Sequence, residues 1–166
     1  MTGTRSRSVF TPEQRARARK ASRAAQERAL AKIGEQVAKR DDRQLARVER
    51  GVPRRVMLTT IFAGMKQRFD PAAAAGVDTV IEWKIRGVAG EPDDRVQVVV
   101  RDATCRIRRG GHDTPGVTFS IGAVDLLRLA TGATPWQRML ADGSLQIAGD
   151  PFVALRLPKL FRLGSS

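Results

Sequence analysis

The sequence is poor in the side chains on which many catalytic and metal sites depend. It has one cysteine, one histidine and no tyrosine among 166 residues. A single cysteine, Cys105, cannot form a disulfide within the chain and is typical of a reducing compartment. Cys105 and His112 are too few for a zinc site, and Asp93-Asp94 is typical of a turn. We therefore predict neither a metal nor a cofactor.

The sequence also lacks an apolar run long enough to cross a membrane, and its Arg-rich N-terminus lacks the apolar segment of a secretion signal. We expect a cytoplasmic protein, with peripheral attachment to a membrane as an alternative. A catalytic nucleophile would need a base, and His112 lies in a glycine-rich loop with no partner at a recognisable spacing. The sequence thus predicts a protein that is not an enzyme.

Acidic residues are scarce relative to basic ones, with 17 against 30 and a formal net charge of +13. Residues 1–50 contain 14 basic and six acidic side chains, and so carry +8 of that charge. Such a balance favours acidic partners, namely an anionic membrane surface, an acidic protein or nucleic acid. Nucleic acid is the least favoured of the three, because aromatic residues make up only 5% of the chain and no base-reading motif is present.

The basic N-terminal segment is predicted to be a helix. Residues 1–10 have nothing to pack and are expected to be disordered. Residues 11–14 (TPEQ) form a capping sequence, and good helix formers continue to Arg50. Gly51 and Pro53 should stop the helix. Its large apolar residues fall on one stripe, which is interrupted by Asp41 and consists of Leu30, Ile33, Val37, Leu45, Val48 and Val52.

Three interpretations of this arm, residues 1–50, stay open. The first is a solvated and partly frayed helix. The second is a basic helix whose residues 11–50 lie on anionic lipid or dock on an acidic protein. The third is a nucleic-acid-binding arm.

Residues 52–163 have the pattern of a globular domain. A helix is predicted from Pro53 to Phe69, and alternating strands follow it. Glu82 and Gln97 are among the residues expected to point outward, so one face of an antiparallel sheet should be covered and the other wet. The inward positions are Ile81, Trp83, Ile85, Val96, Val98, Val100, Ala103, Cys105, Ile107, Val117, Phe119 and Ile121.

After Ile121 the apolar period lengthens to that of helices. Two short helices are expected, the second beginning at Pro135, and a last strand follows them. A final apolar helix should start at Asp150, whose carboxylate can cap it, and Pro158 should kink or end it. The tail at residues 164–166 is expected to fray.

Three segments of this second half resemble the sterol carrier protein 2 (SCP2) lipid-transfer family. They are residues 116–121 (GVTFSI), the helix from 125 (DLL) to 132 (TG), and residues 140–150 (LADGSLQIAGD). Family members show a D-V-T-L-T-L strand, a helix ending in L-x-G and a G-x-L-x-I-x-G-D strand, in this order. Gly116 departs from the acidic residue that is common before the first of these strands. The resemblance covers about residues 52–163 and does not extend to the arm.

The resemblance implies an α+β fold in which a five-stranded mixed sheet is covered on one side by helices that enclose an apolar tunnel. It implies a non-catalytic carrier of an acyl chain (as fatty acid or acyl-CoA), a phospholipid or a sterol. The C-terminal helix would be the lid of the tunnel. The residues predicted to line it, each of which could instead be ordinary core, are Trp83, Phe119, Leu127, Trp136, Met139, Leu140, Ile147, Phe152 and Leu155.

A second role stays open beside lipid carriage. Some bacterial SCP2-like proteins are lipid-presenting accessory factors in quinone biosynthesis, with a helical extension for assembly. The basic arm could make this chain a scaffold subunit of such a membrane-associated complex. Four arginines lie on or beside the third strand, namely Arg101, Arg106, Arg108 and Arg109. Three roles stay open for them: a solvated face of the sheet, a contact with anionic headgroups, or a contact with the phosphates of an acyl-CoA.

Overall fold

The structure is a computed structural model that describes residues 11–40 and 42–162. The expectations for residues 1–10, for Asp41, for the side chain of Leu30 and for residues 164–166 lie outside what it describes. Within the two described ranges, no helix is long and apolar enough to cross a bilayer. The same residues contain no group of three or more His, Cys, Asp or Glu side chains that could hold a metal ion.

The described chain consists of α-helices, one 3₁₀-helix and a single sheet. The helices are α1 (Pro12–Lys39), α2 (Asp42–Leu45), the 3₁₀-helix (Ala46–Glu49), α3 (Gly51–Gln67), α4 (Ala123–Ala130), α5 (Trp136–Ala141) and α6 (Pro151–Leu160). The strands are β1 (Thr79–Arg86), β2 (Asp94–Arg101), β3 (Thr104–Arg109), β4 (Val117–Gly122) and β5 (Leu145–Gly149).

Helix α1 begins as the sequence predicts. The Thr11 hydroxyl accepts a hydrogen bond from the Gln14 backbone N–H (3.3 Å), and the Gln14 side chain accepts one from the Thr11 N–H (3.1 Å). This reciprocal pair satisfies two N–H groups that the first helical turn leaves without partners. The helix ends at Lys39, however, so the predicted helix to Arg50 is broken into shorter pieces.

Gly51 starts a helix instead of ending one. Its φ of 57° turns the chain in a way that glycine tolerates best, and Pro53 then occupies the first turn of α3, where its missing N–H is not needed. Leu45 is buried, and Val48 packs against the core. The residues just before Gly51 therefore contact the globular part of the chain.

The sheet is five-stranded and mixed, in the order β3-β2-β1-β4-β5. The central strands β1 and β4 pair in parallel, and the other three pairs are antiparallel. The mixed α+β fold implied by the resemblance is confirmed. The alternation of the strands had indicated a purely antiparallel sheet, but alternation reports which face is covered and not the direction of the neighbouring strand.

The inner face of the sheet is the floor of the core. Trp83, in the middle of β1, stacks on Phe119 of β4 with ring centroids 4.8 Å apart. Phe62 of α3 meets the same indole edge-on at 6.2 Å. Burying each large apolar side chain contributes roughly 1.5–3 kcal/mol, so this face drives the helices onto the sheet. The helical residues that cover it include Met57, Leu58, Phe62, Leu126, Met139, Leu157 and Leu160.

The outer face is not uniformly wet, contrary to the sequence-based expectation. Gln97 is 0% exposed and Glu82 only 6%. Strands β3 and β4 lie on opposite sides of β2 and β1, so their connection, residues 110–116, has to cross both. It crosses on the outer face and covers these two side chains.

Gln97 fastens this crossing loop to the sheet. Its amide oxygen accepts from the backbone N–H groups of His112 (3.1 Å) and Asp113 (3.0 Å). Its amide nitrogen donates to the Asp113 carbonyl (2.8 Å) and to Glu82 (3.0 Å). Because a buried amide needs such partners, the polar residue at this position is structural.

The β2–β3 connection corrects a smaller expectation. Ala103 was expected to point into the core with Cys105, but it lies in the turn before β3. Asp102 and Ala103 both have positive φ, 49° and 52°. Two positive φ values are typical of a two-residue hairpin turn whose twist matches the right-handed twist of the flanking strands. Cys105 does face the core, and burial raises the pKa of its thiol to about 11.

Helix α6 is capped by Asp150, which accepts a hydrogen bond from the Phe152 N–H at 2.8 Å. The helix continues two residues beyond Pro158, to Leu160, so the proline does not terminate it at once. The Leu160 carbonyl accepts from the Asp70 N–H (2.8 Å), just beyond α3. The rings of Phe161 and Phe69 lie 5.7 Å apart, so the two helix ends are held together.

One buried arginine joins α3 to the sheet. Arg54 is 3% exposed, and its Nε lies 2.6 Å from a carboxylate oxygen of Asp94 at the start of β2. Its other nitrogens donate to the carbonyls of Ile85 (3.0 Å) and Arg86 (3.3 Å) at the end of β1 and of Glu49 (3.1 Å) before α3. The charge is thus buried with a counter-ion and several acceptors.

Replacing Arg54 by methionine should lower the free energy of unfolding by roughly 1–3 kcal/mol, because the carbonyls that accept from the buried guanidinium lose their donor, whereas the half-exposed Asp94 carboxylate can return to water. Arg55→Met is the matched control. Arg55 is the exposed neighbour on the same helix, and its replacement should change stability by less than about 0.5 kcal/mol. Urea unfolding followed by circular dichroism measures both. Equal stability of the two variants would show that Arg54 does not tie the helix to the sheet.

Candidate functional site

A groove of about 590 Å³ opens between α3 and strands β2 and β3. Its floor is apolar and its rim is charged. The floor consists of Leu58, Phe62, Val96 and Ile107, and the remaining lining residues are Thr59, Ala63, Asp93, Asp94, Arg95, Arg109 and Gly110. An apolar concavity with a few polar groups at its edge is the usual form of a small-molecule site.

The groove floor is continuous with the centre of the core. Phe62 lines the groove and also contacts Trp83, which in turn stacks on Phe119. The indole N–H of Trp83 is buried and has no hydrogen-bond partner within the described part of the chain. An unmade hydrogen bond in an interior costs about 1–3 kcal/mol, so the Trp83 indole N–H is a polar group that the core leaves unsatisfied.

The two carboxylates on the groove rim are both neutralised by neighbours. Asp94 is paired with Arg54. Asp93 accepts from the Gly87 N–H (2.9 Å) and lies 3.2 Å from the ammonium of Lys84. The Gly87 N–H first, and Lys84 second, lower the pKa of Asp93, so it stays ionised at neutral pH. The acidic side of the rim is therefore electrostatically satisfied.

The basic side of the rim is less satisfied. Arg95 is 3.9 Å from Glu82, a long ion pair. Arg109 donates to the hydroxyl of Thr59 across the groove. Within residues 11–40 and 42–162, no carboxylate lies within ion-pair distance of Arg109. Arg109 thus brings an uncompensated positive charge to the edge of an apolar groove.

The other three arginines of the predicted row lie away from the groove. Arg101 pairs with Asp78 at 3.0 Å, and Arg108 pairs with Asp113 at 3.4 Å. Arg106 is exposed and lies three residues before Arg109 on β3. The two side chains therefore point to opposite faces of the sheet, and that of Arg106 points to the outer face. Of the four, only Arg109 is placed to contact a molecule in the groove.

None of the nine residues predicted to line a tunnel lies on this groove. Seven are gathered at the core behind it, and two are on the surface. Phe152 is 75% exposed and Leu155 67%. That these nine residues line a lipid site stays a prediction. Those in the buried cluster are Trp83, Phe119 and Met139, and those packed against it are Leu127, Trp136, Leu140 and Ile147.

The groove residues were within reach of sequence analysis but were not singled out. Leu58 and Phe62 are four residues apart on the predicted helix, a spacing that puts them on one face. Val96 and Ile107 were predicted to point inward. What the sequence could not supply was the position of α3 over β2 and β3, which decides that these four residues meet at an opening.

The single histidine is engaged in the crossing loop. His112 Nε2 lies 2.7 Å from the Arg109 carbonyl oxygen, and the side chain is exposed. Nothing in this geometry provides a nucleophile next to a base. The expectation that the protein is non-catalytic stays a prediction.

The fold and groove define a small α+β domain built to cover an apolar sheet face and to leave part of it accessible. The model of the SCP-2 sterol transfer family matches residues 58–162, which is more than half of the chain. The chain belongs to that family. A search of curated protein sequences found no significant match.

Solved structures agree with this fold at low sequence identity. Sterol carrier protein 2 like 2 from Aedes aegypti is 22% identical with a TM-score of 0.54, and the match covers 64% of this chain and 97% of that one. The palmitated form of Aedes aegypti SCP2L2 gives 22% and 0.52, covering 61% and 91%. A double mutant of the sec-alkyl sulfatase PisA1 gives 19% and 0.50, covering 61% of this chain but only 15% of that enzyme.

Proposed function

We propose that this protein is a non-catalytic lipid carrier that binds amphipathic molecules with one apolar chain and an anionic head. The apolar chain enters the groove between α3 and strands β2 and β3. Arg109 holds the head at the rim. The observation that carries the proposal is the combination of an apolar floor with a rim arginine that has no carboxylate partner in the described residues.

The size of the groove suits such a ligand. Its volume of about 590 Å³ lies within the range of roughly 300–1,000 Å³ that is usual for small-molecule sites. Each methylene that leaves water contributes about 0.8 kcal/mol, so ten of them supply about 8 kcal/mol before the costs of association. The net binding free energy is smaller than this gross value, because association itself costs at least about 4 kcal/mol.

The predicted tunnel would be a continuation of this groove. Phe62 separates the groove from Trp83, and a rotation of its ring would open a path to the core cluster, which contains three of the predicted lining residues and has four more packed against it. In this proposal the groove is the mouth, and the space beyond Phe62 forms only when a chain enters.

Acidic amphiphiles fit the rim better than neutral ones. Fatty acids, acyl-CoA and phospholipids share an anionic head that can accept hydrogen bonds from a guanidinium, whereas a sterol presents only a hydroxyl. The Aedes aegypti SCP2L2 structure was solved in its palmitated form, which supports an acyl chain as the apolar part. If the bound ligand were a sterol, the anionic head group would not be needed for binding.

We propose that the arm adds electrostatic attraction to anionic surfaces in the cytoplasm. Basic residues of α1 such as Arg15, Arg19 and Lys20 are exposed, and each basic residue near an anionic membrane contributes about 1 kcal/mol. A scaffold role would instead give a stable protein partner. Binding to nucleic acid would give a steep salt dependence that is lost with the arm.

Filling the groove should abolish ligand uptake. Ala63→Trp adds a large ring at an exposed position of the groove wall and should weaken binding of a fluorescent fatty acid at least about tenfold, since it displaces several methylene contacts. Ala73→Trp makes the same change at an exposed turn outside the groove and should bind normally. Equal affinities would place the ligand elsewhere.

Removing the rim charge should affect acidic ligands selectively. Arg109→Gln should weaken binding of a fatty acid about tenfold, as expected for the loss of a charged hydrogen bond, and leave binding of the corresponding fatty alcohol unchanged. Arg106→Gln, on the same strand but the outer face, is the control and should alter neither. Competition with a fluorescent ligand measures all four affinities. An equal loss for acid and alcohol would contradict the head-group role of Arg109.

A further inference from the structure

The outer side of α6 carries two large apolar side chains in solvent. Phe152 and Leu155 are 75% and 67% exposed, although most large apolar residues of the domain are buried. At 100° per residue, Phe152, Leu155, Arg156 and Lys159 share one stripe about 100° wide. All four are exposed. We call this stripe the α6 outer face.

The exposure of this face does not come from a loosely attached helix. Leu157 and Leu160, on the opposite side of α6, are buried in the core. Asp150 caps the first turn, and the Leu160 carbonyl accepts a hydrogen bond from the Asp70 N–H at 2.8 Å. The helix therefore presents Phe152 and Leu155 outward while its inner side is fully used in packing.

We propose that the α6 outer face docks the protein on an anionic lipid bilayer. This surface shares no residue with the groove, and the inference goes beyond lipid carriage to the membrane from which a lipid would be collected. The occupant follows from the charges. Arg156 and Lys159 flank the two apolar side chains, and α6 contains no acidic residue.

The chemistry of the four side chains suits an interface between water and acyl chains. Phe152 and Leu155 can enter the boundary between headgroups and acyl chains. Arg156 and Lys159 have long aliphatic stems that lie along apolar surface while their charges stay at the phosphates. Neither basic side chain has an ion-pair partner within residues 11–40 and 42–162, so both charges are available.

Vesicle sedimentation with the full chain tests the proposal. Wild type should bind phosphatidylcholine vesicles containing phosphatidylglycerol and bind pure phosphatidylcholine at least about tenfold more weakly, because the attraction to anionic lipid is lost. Phe152→Ser/Leu155→Ser and Arg156→Gln/Lys159→Gln should each reduce binding to the anionic vesicles about tenfold. Val52→Ser/Val56→Ser, an exposed apolar pair at the start of α3, is the matched control and should bind like wild type.

A second measurement locates the contact. Phe152→Trp should acquire a blue-shifted emission on the anionic vesicles and be quenched by brominated lipid more than the native Trp83 and Trp136 are. Absence of additional quenching would overturn the proposal. So would vesicle binding that survives both double substitutions, since the arm would then account for it.

Fatty-acid binding without vesicles separates this proposal from the proposed function. Arg156→Gln/Lys159→Gln should bind a fluorescent fatty acid as wild type does while binding the anionic vesicles about tenfold more weakly. If no variant, including wild type, binds fatty acid, lipid carriage fails but docking is still measured by the vesicles. If Phe152→Ser/Leu155→Ser loses fatty-acid binding and keeps vesicle binding, the pair belongs to the lipid site and docking by α6 is contradicted.

Discussion

The inner face of the sheet has to be kept from water, and the positions of the helices follow from that requirement. Strands β1, β2 and β4 present an unbroken apolar surface centred on the stacked rings of Trp83 and Phe119. Helix α3 covers one part of it and is locked by the buried guanidinium of Arg54. Helices α4 to α6 cover the rest. Between α3 and strands β2 and β3 the cover is incomplete, and there the groove opens.

Covering a core and binding a lipid chain use the same physical interaction. The aromatic series Phe62, Trp83 and Phe119 runs from the groove lining, where Phe62 is 3% exposed, into the sealed interior, and all three side chains are apolar rings. A side chain that packs on its neighbours when the protein is empty can pack on a methylene chain when it is loaded. The distinction between core and lining is thus one of mobility, which depends on how easily Phe62 moves.

Local signals in the sequence were sufficient to predict much of the fold. The capping residues Thr11 and Asp150 start their helices as expected, and the apolar alternation gave the inward residues of four strands. Long-range features were not accessible. Gln97 alternates like any outward polar residue, and only the crossing of residues 110–116 makes it buried. Gly51 was predicted to end a helix. In the structure its positive φ serves the start of the next helix, α3, and the residue type alone does not distinguish the two roles. Arg109 and Arg106 are alike in sequence. Only Arg109 lines the groove, because it lies on the face of β3 next to α3, and the position of α3 was not accessible from the sequence.

The central claim is that the apolar groove holds a lipid, and native mass spectrometry of the purified full chain tests it most directly. Dissociation of the complex and organic extraction would identify the bound species. The account predicts an acidic amphiphile with an acyl chain at near-equal stoichiometry. A protein that is recovered free of ligand and takes up no fluorescent fatty acid would contradict the account, and its apolar surfaces would then be core alone.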